Sequence, residues 1–153
     1  MLHALTWSLI EHLRNQVPEA NDVVWVYDGV SLTGRTKPFL TVEQMTGNSE
    51  SIAAGRLDYE DIFRFQVGLR SRNIGERSRL TDVVKDVLRQ PNIPLYDTRI
   101  FPPTEEGVFV CDVKRVVPIQ AETTEDETNR HRVYFDVEVT VYRRNADGLN
   151  FNQ

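Results

Sequence analysis

Three histidines, one cysteine, one cluster of carboxylates and one of arginines are what this sequence offers for chemistry. His3 and His12 lie nine residues apart in a stretch that reads as a helix. At about 100° per residue they project to opposite sides and cannot close on one metal ion. His131 stands alone at the head of a strand. Scattered in this way, the three predict no metal site. Cys111 sits in an alternating apolar run whose strand should pair with the one that begins near His131, which raises the idea of a thiolate–imidazole pair. A reactive thiolate must be exposed, whereas the alternation puts Cys111 on the core side, where it is a small inert hydrophobe. Asp58, Glu60 and Asp61 form a carboxylate cluster at a strand start. Paired acids can do acid–base work or hold a divalent cation. No further ligand group is indicated nearby, and a charged strand end that discourages edge pairing is the simpler reading. Arg70, Arg72, Arg77 and Arg79 gather around the start of the second helix, where a phosphate-binding patch is conceivable. Glu76, Asp82 and Asp86 are interleaved and no aromatic stacking platform accompanies them, so the pattern reads as a solvated or subunit-contacting patch. No Gly-x-Ser-x-Gly elbow, phosphate loop or dinucleotide fingerprint is present. The sequence therefore predicts no catalytic residue, no bound metal and no cofactor.

The elements that would position these groups follow from periodicity. Leu2, Leu5, Leu9, Leu13 and Val17 recur at helical spacing with Ile10 beside them, which predicts an amphipathic helix over residues 2–16, ended by Pro18. VVWVYD at 23–28 is short and β-rich and predicts a first strand; Gly29–Pro38 is a loop, and Phe39–Met45 a second strand. Thr46–Gly55 is small, polar and glycine-flanked, and reads as a long hairpin arm or mobile loop. From Asp61, Phe63, Phe65, Val67 and Leu69 face one side and Arg64, Gln66 and Arg70 the other, a third strand. A second helix is expected over Ile74–Arg89, with Asn73 as its cap, Glu76 completing a capping box, and Leu80, Val83, Val84, Val87 and Leu88 as its apolar stripe. Residues 92–107 hold Pro94, Pro102 and Pro103 and read as irregular; Val108–Val117 is a fourth strand; Pro118–Arg130 is an acidic hairpin tip carrying Glu122, Glu125, Asp126 and Glu127. The clearest signal is His131–Arg144, where Val133, Phe135, Val137, Val139 and Val141 alternate strictly with Tyr134, Asp136, Glu138, Thr140 and Tyr142. It predicts the long central strand of the sheet.

Helices do not separate the strands regularly, so the order predicts an α+β fold: a mainly antiparallel sheet of about five strands with two helices packed on one face. Residues 1–144 are expected to form one domain and 145–153 a loose tail. The 153 residues carry 18 Lys and Arg against 23 Asp and Glu, a net charge of −5. That balance argues against tight, sequence-independent binding of nucleic acid. A single cysteine excludes an intrachain disulfide framework and fits a reducing compartment. No apolar run approaches the roughly 20 residues of a membrane helix, and no signal-peptide pattern opens the chain.

The layout resembles the tail terminator proteins of long-tailed bacteriophages. The likeness lies in an opening helix, LHALTWSLIEHLRNQVP, a strand with a polar arm, PFLTVEQMTGNSESIAAG, an aromatic strand, FRFQVGLRSR, a short helix, LTDVVKDVLRQP, and a closing hairpin running from FVCDVKRVVPIQAE to HRVYFDVEVTVYRR. The resemblance implies a structural virion protein, with no bond made or broken. Such a protein forms a homo-oligomeric, sixfold ring that caps the head-proximal end of the tail tube, stops addition of tube protein and joins the head–tail connector. DNA would pass through without specific binding. It also implies that Thr46, Gly47, Asn48, Ser49, Glu50, Ser51 and Ile52 order against a neighbouring subunit or the tube, with Arg70, Arg72 and Arg77 as further contact residues. Glu122, Glu125, Asp126 and Glu127 would form an exposed acidic loop or face a negative lumen that lets DNA slide. A related neck or tail-completion protein, and a small α+β enzyme or ligand-binding domain using Asp58, Glu60 and Asp61, are the alternatives.

Overall fold

The computed structural model describes residues 1–51, 58–119 and 127–144. In chain order these form α1 (Leu2–Gln16), β1 (Val23–Val26), β2 (Phe39–Ser51), β3 (Asp58–Arg70), α2 (Ile74–Leu88), β4 (Ile93–Asp97), β5 (Thr104–Phe109), β6 (Asp112–Pro118), a 3₁₀ turn (Glu127–Asn129) and β7 (Arg132–Arg144). The fold is α+β. A five-stranded sheet runs in the order β1-β2-β3-β7-β6, and β4 and β5 make a separate two-stranded sheet. Residues 145–153 lie outside the described residues.

Alternation builds the large sheet as expected. Phe65, Val67 and Leu69 of β3 stand opposite Val137, Phe135 and Val133 of β7, and Leu40 and Val42 of β2 stand opposite Leu69 and Val67. All of these side chains are buried. Because facing residues on adjacent strands share a face, one apolar surface spans the sheet. Leu5, Leu9 and Leu13 of α1 and Leu80, Val84 and Leu88 of α2 complete that core. His12, buried on α1, donates its Nε2–H to the Val87 carbonyl of α2 at 2.9 Å and ties the helices together. Ser8 of α1 accepts from the Tyr96 N–H at 2.9 Å, and Trp7 meets Tyr96 edge-on at 5.2 Å, which lays the β4–β5 hairpin along α1.

Several boundaries differ from the sequence expectation. The sheet is mixed, since β1 pairs parallel with β2; the other three pairings are antiparallel. The long connection after Val26 carries the chain back to the same end of the sheet, as a parallel pair requires. β3, not β7, is the central strand. The first strand ends at Val26, and the third begins at Asp58 rather than Asp61. Residues 92–107 are not irregular: Ile93–Asp97 and Thr104–Phe109 pair with each other. The single strand expected over Val108–Val117 is two, because the chain leaves the small sheet at Phe109 and enters the large one at Asp112. Phe109 and Cys111 are nonetheless buried, so the alternation survives the break. Asn73 caps α2 by accepting from the Glu76 N–H at 2.8 Å, but Glu76 reaches back to the N–H of Arg72, not of Asn73, so the capping box is displaced by one residue.

Candidate functional site

Of the two readings of Thr46–Gly55, the hairpin arm holds as far as Ser51. β2 does not stop at Met45; it continues to Ser51, pairing Asn48, Ser49, Glu50 and Ser51 with Ile62, Asp61, Glu60 and Tyr59. Thr46 and Gly47 form a bulge, the only break in the β2–β3 register. Gly47 lies so close to β3 that a Cβ there would come 2.3 Å from the Ile62 carbonyl oxygen, so no other residue fits without moving backbone. Arg64 pins the bulge: its Nη1 donates to the Thr46 carbonyl at 3.3 Å and to Asn48 Oδ1 at 2.6 Å, while its Nε donates to Glu138 of β7 at 3.0 Å. One guanidinium thus ties three strands. Burial falls towards the arm: β3 is largely buried from Phe65 to Arg70 and only half-buried from Asp58 to Arg64. Met45 to Ser49 are all exposed. Ile52 and Gly55 lie outside the described residues.

The carboxylate cluster does not converge. Strand alternation sends Asp61 to the helix-covered side of β3, opposite Val141, and Asp58 and Glu60 to the other side, opposite Arg144 and Tyr142. Among the described residues no group of three or more His, Cys, Asp or Glu is placed to hold a metal ion. Cys111 and His131 are also apart. Asp112 faces Glu138 in the β6–β7 register, so Cys111 sits near the level of Val139, roughly 25 Å along the strand from His131. Burial pushes the Cys111 thiol up to about 12, an inert group at neutral pH. His3 meets Trp25 and Thr98 at the surface, far in role from buried His12.

The arginine cluster disperses too. Arg72 is exposed and pairs with Glu76 at 2.6 Å; its guanidinium and N–H hold the Glu76 carboxyl below the usual range. Arg77 donates to the Ile119 carbonyl at 3.0 Å, joining α2 to the end of β6, and Arg79 pairs with Glu19. Arg70 alone is buried. It lies on the face of the sheet away from the helices, where Arg64–Glu138 and Arg115–Asp136 form surface ion pairs and Tyr142 is exposed. Glu122, Glu125 and Asp126 lie outside the described residues; Glu127 opens the 3₁₀ turn before β7.

Two surfaces were not singled out from the sequence. The tip of the β4–β5 hairpin exposes Ile100 and Phe101, the latter at 96%. A cleft of about 230 Å³ lies between α1 and the turn from α2 to β4, lined by Glu11, His12, Gln16, Gln90, Asn92 and Tyr96. It is below the size of ordinary ligand pockets, and His12 is already engaged with Val87. No helix among the described residues is long and apolar enough to cross a membrane. No protein-family model matches the chain, and no curated protein matches it.

Proposed function

We propose that this protein is a structural subunit of the tail-terminator type, a ring-forming cap at the head-proximal end of a phage tail tube. Self-association into a closed, sixfold ring would arrest addition of tube protein and offer the opposite face to the head–tail connector. A head-to-tail contact that closes on itself gives a ring rather than a filament. The mechanism is steric, and DNA passes through a negative lumen without being held. Its place is the virion tail, reached by assembly in the host cytoplasm.

The observation that carries this reading is the arm. Thr46–Ser51 and Asp58–Ile62 extend a three-stranded ladder into a region of low burial, held in shape by the Arg64 clamp and the Gly47 bulge. The core does not require it, since Phe65, Val67 and Leu69 pack without it. A polar, shaped extension that contributes little to its own core is suited to ordering against a second chain. The test is to add purified protein to growing tail tubes and to isolated heads, and to image both. Hexameric rings on tube ends, with tube length fixed, support the cap. Rings on the head vertex make it a neck-layer protein, and a monomer that touches neither overturns the assembly reading. Replacing 46–55 by a tight turn should leave the melting temperature near that of the parent and abolish capping.

A further inference from the structure

Arg70 ends β3 with 5% of its surface exposed. Its Nη1 donates to Thr41 Oγ1 at 3.2 Å and its Nη2 to the Tyr134 hydroxyl at 3.3 Å, and the guanidinium lies 5.8 Å from the ring centroids of Phe39 and Tyr134. Both hydrogen-bond partners are neutral. Among the described residues no carboxylate comes within ion-pair distance of Arg70; Glu43 attracts it only at longer range. A buried cation is ordinarily paired, because desolvation without a counter-charge is unfavourable.

Hydrogen bonds are missing at this end of the sheet as well. Arg70 Nε is buried with no hydrogen-bond partner, and so are Ser71 Oγ and His131 Nδ1. Arg70 faces Arg132 in the β3–β7 ladder; Ser71 and His131 come one position further on, with the opposite parity, and the Ser71 N–H donates to the His131 carbonyl at 3.0 Å. Arg132 sets a second guanidinium against the same Tyr134 ring at 5.8 Å, and the like charge further disfavours the Arg70 cation. His131 holds φ at +55°, a conformation that non-glycine residues seldom adopt and that tends to mark a constrained functional position. Gly68 makes room for Arg70 itself: a Cβ there would meet Thr41 Oγ1 at 2.3 Å and Arg70 Nη1 at 3.1 Å.

Nε keeps its N–H, and Nη2 carries two N–H groups of which Tyr134 uses one, so the Nε/Nη2 edge of Arg70 retains unused donor capacity. That edge matches two oxygens of a carboxylate or phosphate. Arg132 and Tyr134 beside it are half-buried, so this edge of Arg70 lies close beneath the surface. We propose that the Nε/Nη2 edge of Arg70, with Arg132 beside it, is a binding site for an oxyanion, either free phosphate or a carboxylate. The site does not depend on the cap function and adds a binding activity to it.

The test follows the Arg70 Nε–H resonance by NMR while sodium phosphate, sodium acetate or sodium chloride is added at fixed pH and ionic strength. Saturable shifts with phosphate alone assign the site to phosphate; shifts with acetate as well assign it to a carboxylate. Chloride should move nothing. Arg132→Gln should weaken the titration about tenfold or more. A second readout is thermal: phosphate or acetate should raise the melting temperature of the parent and leave that of Arg70→Met unmoved. An unshifted Arg70 resonance with both anions, or equal affinity in Arg132→Gln, would overturn the site and reduce Arg70 to a stacked structural cation.

Discussion

Replacing Gly47 with alanine separates the arm from the body. The new Cβ would sit 2.3 Å from the Ile62 carbonyl oxygen, where contact begins at about 3.4 Å, so backbone must move by about 1 Å. β3 cannot give way, because Ile62 is also paired with Thr140 of β7. The movement falls on β2. Past the bulge β2 makes four cross-strand pairs, which in an antiparallel ladder means about four hydrogen bonds. At a net ~0.5–1.5 kcal/mol each these contribute roughly 2–6 kcal/mol. Ordering four backbone residues costs roughly 4–8 kcal/mol. The arm pairing is therefore close to balance and rests on side-chain contacts such as the Arg64 clamp. An overpacking strain of ~1–3 kcal/mol is enough to open it. Opening also caps the loss, because the strain is relieved once β2 peels away beyond Met45. Hydrogen exchange on the Asn48–Ser51 amides should accelerate by about tenfold or more, while global stability falls by no more than ~1–3 kcal/mol. Arm amides as protected as in the parent would refute the close approach at Gly47. A fall in global stability well beyond that range would refute the independence of arm and core.

Other consequences concern the core and its charges. Phe65→Ala removes a ring that is 1% exposed and should cost ~3–5 kcal/mol, a drop in melting temperature of roughly 6–20 °C; a variant that melts like the parent would place Phe65 outside the core. Cys111 should resist thiol reagents in the folded protein at pH 8 and react at once in denaturant. With its folded value raised to about 12, its contribution to stability is intact below the unfolded thiol range and is lost as pH climbs towards that value, a loss Cys111→Ala should abolish. Glu76 runs the other way. Its folded value is lowered, so the stability it provides is present above the ordinary carboxylate range and lost as the solution is acidified through the folded value. Glu76→Gln should remove that acid dependence and cost ~1–3 kcal/mol at neutral pH, read by chemical denaturation.

The features legible in the sequence are those whose period is fixed by burial on one side. α1, β3 and β7 each present one apolar face to one core, and their alternation or helical spacing stands out. β4 and β5 lack that signature. β5 is exposed from Thr104 to Val108, so no face is selected for apolar residues, and Pro94 sits within β4 of a two-stranded sheet whose outer edge needs no donor. The break at Val110 was hidden for the opposite reason. Phe109, Cys111 and Val113 keep one parity through the crossing, so the pattern reads as one strand although the chain changes sheets. The parallel β1–β2 pairing left no local trace, since strand direction depends on the path of the loop between them.

The arm and Arg70 show how a polar residue on a strand can mislead. Small polar residues from Thr46 onward read equally as hairpin arm or loop, because nothing buried selects a period there. Their pairing is set by β3, which stays extended because β7 runs alongside it as far as Arg144. Arg70 occupies the polar parity of β3 and so reads as solvent-facing. Its burial comes from Phe39 and Tyr134, which neighbouring strands bring to its two sides, and from Gly68, two residues earlier, which lets the guanidinium lie flat. Each of those residues has an ordinary reading alone: a strand start, a polar-face tyrosine, a glycine in a strand. Only the register of β2, β3 and β7 makes them one environment, and a buried guanidinium whose hydrogen-bond partners are neutral is a statement about charge that no single strand can carry.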